Sequence, residues 1–475
     1  MKGFMRSKLL WILFFAFLIR ILFLLVDYPL WWDSHVYIGI SKYIYTLGAQ
    51  GIWESFRPLV HPIILGAFWK IGFDPFVVGK LMDLVLSVVV VYLTYLVGKR
   101  VFSEKVALVG AGIFAINPLF IMFTGLILTE PLAMVFGLLG LILFFDYLDE
   151  KGFLKLFFSG LLLSISFMTK FPQGIFFGSS FLVLMFMKKS WFVRIKEAVV
   201  FGLGFSVFVI PFLVLNFILY KDVLLPFTAG SWIVTTATWL YGSGLFYYTF
   251  NLFISFPIFL FFFGYLYYFV DEKRFRYGKE LVLFLIFVLT FLYFHSVPRK
   301  EIRYLVTVLP MLCLFVSFAI VKIYSYLKKS QVPKIRPRSF IIICVVLIII
   351  VLPSKLYIER YPDIKEEVSL VLEKYDVKRT IITTDPSFVS FTNNKIVSLD
   401  GSQFALKKYE DNKENSDMVF INDCDLACEG SDVECMGEVN QLILRASEEF
   451  NLVMEKKFQF QDRACTYLVF VGANK

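Results

Sequence analysis

The chain is dominated by apolar runs of about 20 residues, the length that carries a helix across the hydrocarbon core of a bilayer. Eleven runs read this way: 9–26, 76–97, 105–120, 129–147, 153–169, 171–187, 198–220, 249–270, 280–296, 302–326 and 339–353. Lipid offers no partner to a backbone N–H or C=O, so such runs fold as helices with all their hydrogen bonds internal. Composition agrees: 58% of residues are hydrophobic and only 18% charged, where a soluble domain has about a quarter charged. The expected fold class is therefore a mostly α, polytopic membrane bundle over residues 1–354.

The formal net charge of +9 does not point to nucleic acid, and no nucleic-acid partner is expected. The basic residues cluster in short loops between apolar runs, as membrane orientation requires. Lys2, Arg6 and Lys8, Lys99, Arg100 and Lys105, Lys188, Lys189, Arg194 and Lys196, and Lys273, Arg274, Arg276 and Lys279 fall on one side. By the positive-inside rule that side, with the N-terminus, is cytoplasmic. Eleven spans then put residues 27–57 and the C-terminus outside. The basic N-terminal segment has no small-residue cleavage site after its apolar run, so the first helix is expected to be retained. The apolar stretch 59–72 is too short to span comfortably and reads as a re-entrant or interfacial helix.

From residue 355 the sequence becomes polar and patterned like a small α/β domain. A helix is expected over 364–375, strands over 379–384 and 417–421, a helix over 438–450 and a closing hairpin from 452–460 and 466–471. Cys424, Cys428, Cys435 and Cys465 all lie here. Four cysteines in an oxidising compartment imply two disulfides, with three connectivities open. A zinc site is the rival reading, although His35, His61 and His295 all lie elsewhere. Cys313 and Cys344 sit in apolar helices and read as packing residues.

Four places break the apolar pattern with ionisable groups near the outer face. Asp33, in Trp31-Trp32-Asp33-Ser34-His35, follows the first span and shares its external loop with Glu54, Arg57 and His61. It is either a helix cap or a carboxylate working as a general base or cation ligand. Glu130 opens the fourth span in Thr129-Glu130-Pro131; it suits a helix start, yet enters at a depth where ionisable groups are usually functional. Lys170 sits in the turn Met168-Thr169-Lys170-Phe171-Pro172, free to snorkel or to meet a phosphate. Arg299, Lys300 and Arg303, followed by Tyr304, gather where a span begins; cations at a helix N-terminus call for an anion between them. Arg20 and Asp83 are further ions inside spans, expected to pair or orient.

Together with Arg57-Pro58-Leu59-Val60-His61-Pro62 and Lys300-Glu301-Ile302-Arg303-Tyr304, these motifs resemble the GT-C membrane glycosyltransferases, in particular the protein O-mannosyltransferase and lipid A aminoarabinose transferase branch. The resemblance covers about residues 9–326. It implies transfer of a sugar, with inversion, from a polyprenyl-phosphate carrier to a protein, glycan or lipid acceptor at the outer face, with membrane lipid as the surrounding partner. Carried over, Asp33 is the base and Glu130 a second acid, the two being candidate ligands of a divalent cation, Mg or Mn. Lys170, Lys300, Arg303 and Tyr304 would take the carrier phosphate, and Arg57 and His61 the substrate. Two departures bear on metal use and donor identity: Ser34 follows Asp33 where many relatives have Asp-Glu, and Lys170-Phe171-Pro172 replaces Lys-Gly-Pro. The domain from 355 onward is expected to bind or shape the acceptor. The rival class is a transporter or lipid flippase, which would show inverted repeats and charges at mid-bilayer; no internal repeat is found in the sequence, and the candidate residues group at one face.

Overall fold

A computed structural model describes residues 2–26, 29–187, 190–235, 241–276, 278–329, 337–349, 362–399, 402–426, 428, 432–460 and 463–472. The chain divides into two compact units. The first is Met1–Asp27, Pro58–Val60 and Lys80–Leu356; the second is Tyr28–Arg57, His61–Gly79 and Tyr357–Lys475. The second unit is thus wider than the 355–475 region expected from composition, since it takes in most of the first external loop. The expected boundary at 354/355 lies outside the described residues, as does the end of the last apolar run.

In the first unit the helices are α1 (Lys2–Leu24), α4 (Pro75–Val101, whose first turn belongs to the second unit), α5 (Glu104–Ala115), α6 (Pro118–Met122), α7 (Thr129–Glu150), α8 (Phe153–Thr169), α9 (Gly174–Phe186), α10 (Trp191–Tyr220), α11 (Leu225–Ile233), α12 (Tyr247–Ser255), α13 (Phe261–Asp271), α14 (Gly278–Ser296), α15 (Leu309–Lys329) and α16 (Pro337–Ile349). Six described segments are long and apolar enough to cross a bilayer alone: Ser7–Leu24, Pro75–Val101, Thr129–Glu150, Trp191–Tyr220, Gly278–Ser296 and Ile302–Lys329. Tyr247–Ile254 and Pro257–Asp271 are long and apolar enough only when taken together, and the chain bends by 119° between them. The protein is an integral membrane protein. The other expected runs form helices of 12, 17, 13 and 13 described residues (α5, α8, α9 and α16). The run 105–120 is broken because Asn117 caps α6, its side chain accepting from the Phe120 N–H at 3.0 Å, and Pro118 stops α5.

Between apolar helices in lipid the hydrophobic effect gives little, and close backbone packing takes its place. At the α8–α10 crossing a Cβ on Gly160 would lie 2.2 Å from the Phe201 carbonyl, and one on Gly204 2.1 Å from that of Phe157. Hydroxyls bond across the α7–α8 contact, Ser159 to the Gly140 carbonyl at 2.8 Å and Ser166 to that of Ala133 at 2.7 Å. Arg20, buried in α1, donates to the Ala115 carbonyl at 3.0 Å. Ala115 ends α5, so the cation meets the negative end of a helix dipole.

The second unit holds α2 (Trp32–Tyr45), α3 (Val60–Lys70), α17 (Lys365–Lys374), α18 (Ser402–Asn412) and α19 (Val433–Glu449). Its strands are β1 (Thr380–Thr383), β2 (Ile396–Ser398), β3 (Ser416–Asn422), β4 (Phe450–Phe460) and β5 (Arg463–Gly472), in the order β2-β1-β3-β5-β4. The first three are mutually parallel and β5 runs antiparallel to its neighbours. Ile382, Tyr409, Val419, Ile421, Leu442, Phe450 and Phe470 form its core. Helix α3 keeps Ile63 and Phe68 exposed, as an interfacial helix requires.

The stretch read as a loop around Asp33 is helix α2, and it belongs to this unit. Lys42 donates to the Val389 and Thr392 carbonyls at 2.6 and 3.2 Å, and the His35 ring nitrogen Nδ1 lies 3.0 Å from Ser390 Oγ. Gly51 then pairs with the open edge of β2: its N–H donates to Asn394 at 3.0 Å and its carbonyl accepts from Ile396 at 2.8 Å. Its φ of +80° and the Gly39 carbonyl, 2.2 Å from where a Cβ would stand, admit glycine alone.

The cysteines resolve to Cys424–Cys465 and Cys428–Cys435, which also excludes the zinc alternative, because these sulfurs are consumed. The first bridge ties the segment after β3 to β5 across 41 residues. Replacing Cys424 and Cys465 by serine is expected to lower stability by about 4 kcal/mol, read as a drop in the denaturation midpoint of the full chain; an unchanged midpoint would refute a structural role.

Candidate active site

The second unit brings Asp33, Glu54 and Arg57 together. Asp33 stands in the first turn of α2, where a carboxylate meets the positive end of the helix dipole. Arg57 Nη2 lies 2.8 Å from Asp33 Oδ1, and its Nε lies 2.7 Å from Glu54 Oε2. The guanidinium also sits over the rings of Phe56 and Tyr37, at 4.9 and 5.6 Å. Burial alone would lower the pKa of Arg57; Asp33 and Glu54 outweigh it and raise it well above the ordinary value. His61 is fully buried with its ring edge-on to Tyr37 at 5.4 Å, and neither ring nitrogen has a hydrogen-bond partner among the described residues. Arg57 and His61, expected on the substrate, are thus placed on the two acids and on Tyr37.

The first unit holds two further clusters. Lys170 Nζ lies 2.6 Å from Glu130 Oε1, with the acid almost fully buried. The pair joins the N-terminal turn of α7 to the residue capping α8, and each charge suits the helix end it occupies. Just before Glu130, Ile127 has a φ of +56°, unusual for a β-branched residue. Asp83 of α4 accepts the Ile127 N–H at 2.7 Å, so this buried acid holds the strained loop that delivers Glu130.

The other cluster precedes α15. Glu301 accepts from Arg299 Nε at 2.7 Å and from the Tyr304 hydroxyl at 3.0 Å, and its other oxygen lies 2.5 Å from Arg303 Nε. Arg299 stacks 3.6 Å over Tyr241. Lys300 is buried, its Nζ on the His295 and Val297 carbonyls at 2.8 and 3.0 Å, and burial lowers its pKa. Arg299 and Arg303 share the Glu301 carboxylate, while Lys300 is held by backbone carbonyls. The segment Ile302–Val308 is a 3-10 helix of seven residues, longer than such turns usually run. Sequence reasoning gave Glu301 no role, although its place between Arg299 and Arg303 was the available signal.

The implied divalent cation finds a poor fit in the residues present. Between Asp33 and Glu54 the Arg57 guanidinium already stands, and Lys170 neutralises Glu130. The group of three ligand-type residues found among the described residues, Asp423, Cys424 and Cys465, has both sulfurs in a disulfide.

This is the fold of the GT-C membrane glycosyltransferases, as the sequence motifs led one to expect. Residues 56–215 match the family model described as dolichyl-phosphate-mannose-protein mannosyltransferase. The chain is similar to ArnT from Cupriavidus metallidurans bound to undecaprenyl phosphate, with a TM-score of 0.64 at 10% identity, over 96% of this chain and 98% of that one. It is also similar to the oligosaccharyltransferase AglB from Archaeoglobus fulgidus in complex with an inhibitory peptide and a dolichol-phosphate, with a TM-score of 0.60 at 12% identity, over 99% and 74%. A structure of the Archaeoglobus fulgidus oligosaccharyltransferase with Zn and sulfate gives 0.54 at 13% identity, over 86% and 67%. Comparison with curated proteins returns no sequence match.

Burial holds His61 neutral, its pKa pushed down to about 3, and that of His35 down to about 4. In the unfolded chain both titrate near about 6.5. As pH falls below that value the unfolded state takes up protons the folded state refuses, so stability is full above about 6.5 and is lost progressively toward pH 4. The melting temperature should fall across this window, and His61→Phe should shallow the slope by roughly one proton. A flat wild-type profile would contradict the burial.

Proposed function

We propose that this protein is a glycosyltransferase that moves a sugar from a polyprenyl-phosphate carrier to a hydroxyl-bearing protein, glycan or lipid acceptor at the extracytoplasmic face. The observation that carries the reading is the gathering of three cations, Arg299, Lys300 and Arg303, beside a helix start, in a fold shared with proteins solved with undecaprenyl phosphate and with dolichol-phosphate. The N-terminus is cytoplasmic and the second unit faces outward, following the asymmetry of Lys and Arg.

In this reading the acceptor oxygen attacks the anomeric carbon while the bond from that carbon to the phosphate oxygen breaks. The bonding pair leaves with the lipid phosphate, and the acceptor proton goes to Asp33. A single displacement of this kind inverts the anomeric centre. Arg57 orients the Asp33 carboxylate, with Glu54 and His61 as positioning residues. Arg303, Lys300 and Tyr304 hold the leaving phosphate, whose growing charge they stabilise where water is scarce. Lys170, turned by Glu130, adds to that field. No step is routed through a metal ion, since Arg57 already bridges Asp33 and Glu54.

Purified protein supplied with a panel of polyprenyl-phosphate hexoses is expected to release or transfer sugar from at least one of them. Asp33→Asn should abolish transfer while leaving the melting temperature within a few degrees of wild type; near-normal turnover would remove Asp33 from the base role. Arg303→Ala should weaken donor affinity by about 2–3 kcal/mol, the cost of a lost charge-assisted contact. Unchanged donor affinity would take Arg303 off the phosphate.

A further inference from the structure

Arg303 and Tyr304, which the transferase reading lends to the carrier phosphate, are both engaged by a neighbouring carboxylate. Glu301 Oε2 lies 2.5 Å from Arg303 Nε, and Oε1 lies 3.5 Å from Nη2 on the same edge of that guanidinium. Oε1 also accepts from Arg299 Nε at 2.7 Å and from the Tyr304 hydroxyl at 3.0 Å. An arginine edge takes carboxylate and phosphate by the same two-point contact. A tyrosine hydroxyl has one hydrogen and donates to one acceptor at a time. Phosphate and the Glu301 carboxylate therefore compete for the same donors, and two anions set side by side on them repel.

The surroundings let the carboxylate give way. Its backbone is held independently of it: the Glu301 N–H donates to the Tyr248 hydroxyl at 3.3 Å, and its carbonyl accepts from the Tyr304 N–H at 3.1 Å. The Lys300 carbonyl accepts from the Gly242 N–H at 3.1 Å, and Lys300 Nζ ties the loop to the carbonyls at the end of α14. The peptide stays in place whichever way the Glu301 side chain points. The contact is also within reach from outside, since the side chains of Arg299, Glu301 and Arg303 are 17%, 16% and 13% exposed.

We propose that Glu301 is a built-in stand-in for the carrier phosphate: it holds Arg299, Arg303 and Tyr304 in the arrangement a lipid phosphate needs and yields them when that phosphate arrives. The inference rests on the transferase reading above and adds a specificity-determining residue to it. An incoming anion must bind these donors better than a carboxylate that is always beside them. A phosphate carried on a lipid has its tail as a further anchor and displaces it; a small anion without that anchor is turned away. With Glu301 displaced only in a minor population, affinity for every anion is lowered by the same factor. Removing the charge of Glu301 lifts that factor, so affinity rises. If Glu301 only propped the two arginines, the same change would loosen them and affinity would fall.

The test uses the full chain in phosphatidylcholine nanodiscs, with undecaprenyl phosphate as the probe and inorganic phosphate for comparison. Glu301→Gln keeps the shape and an acceptor oxygen but not the charge, and should bind undecaprenyl phosphate roughly tenfold more tightly than wild type. Equal or weaker binding overturns the stand-in. Wild type gives a second readout that needs no variant. A water-soluble carbodiimide with glycine ethyl ester labels a carboxylate that has left its arginines, and peptide mass spectrometry should show labelling of Glu301 rising several-fold when undecaprenyl phosphate is added. Unchanged or reduced labelling overturns the stand-in as well. Inorganic phosphate should reproduce the rise only at concentrations far above those of the lipid; equal potency would overturn the lipid phosphate as the anion this site selects. Sugar transfer by wild type together with weaker binding in Glu301→Gln refutes the stand-in and leaves the transferase reading standing. Tighter binding and stronger labelling, with no sugar transferred from any polyprenyl-phosphate hexose, do the reverse.

Discussion

The arrangement around Asp33 depends on one guanidinium. Arg57 answers two carboxylates at once and is itself pressed against two aromatic rings. Neither acid is comfortable next to the other without it, and the largely buried cation is tolerable only because both acids face it. The planar, two-sided donor geometry of arginine matters here; a lysine would place a point charge and satisfy one acid well at most. The orientation of the proposed base and the position of Glu54 both follow from where that fork lies.

What fixes the fork is backbone pairing far away in sequence. Gly51 docks on the edge of β2, only three residues from Glu54. Lys42 and His35 bind the turn between β1 and β2 from the other end of the same loop. The polar C-terminal region therefore does more than cover the surface: its sheet edge holds the segment that carries the acids. An unpaired strand edge is generally a liability, and here it is used as a clamp.

Much of this could be read from residues alone. The apolar runs fell on helices because length and hydropathy are local properties. The hairpin of β4 and β5 was visible from alternation. Asp33, Glu130, Lys170 and Arg303 stood out because a charge in an apolar context is rare. What escaped was non-local. Helix α2 read as a loop, since Gly39 and its β-branched neighbours are weak helix formers and the contacts that hold it come from residues 389–392. Glu130 and Lys170 were each noticed but not as partners, 40 positions apart. Strand β2, of three residues, and α18 gave too little pattern to separate from loop. The disulfide pairing was one of three possibilities that spacing cannot rank.

The clamp at Gly51 has a practical corollary. A secreted fragment starting after the last apolar run would keep all five strands yet lose the neighbour of β2, leaving the Asn394 carbonyl and the Ile396 amide bare at the rim of the sheet. Such a rim invites pairing with another copy of itself. Anyone expressing this region by itself should graft residues 48–54 back onto it, or expect a self-associating product.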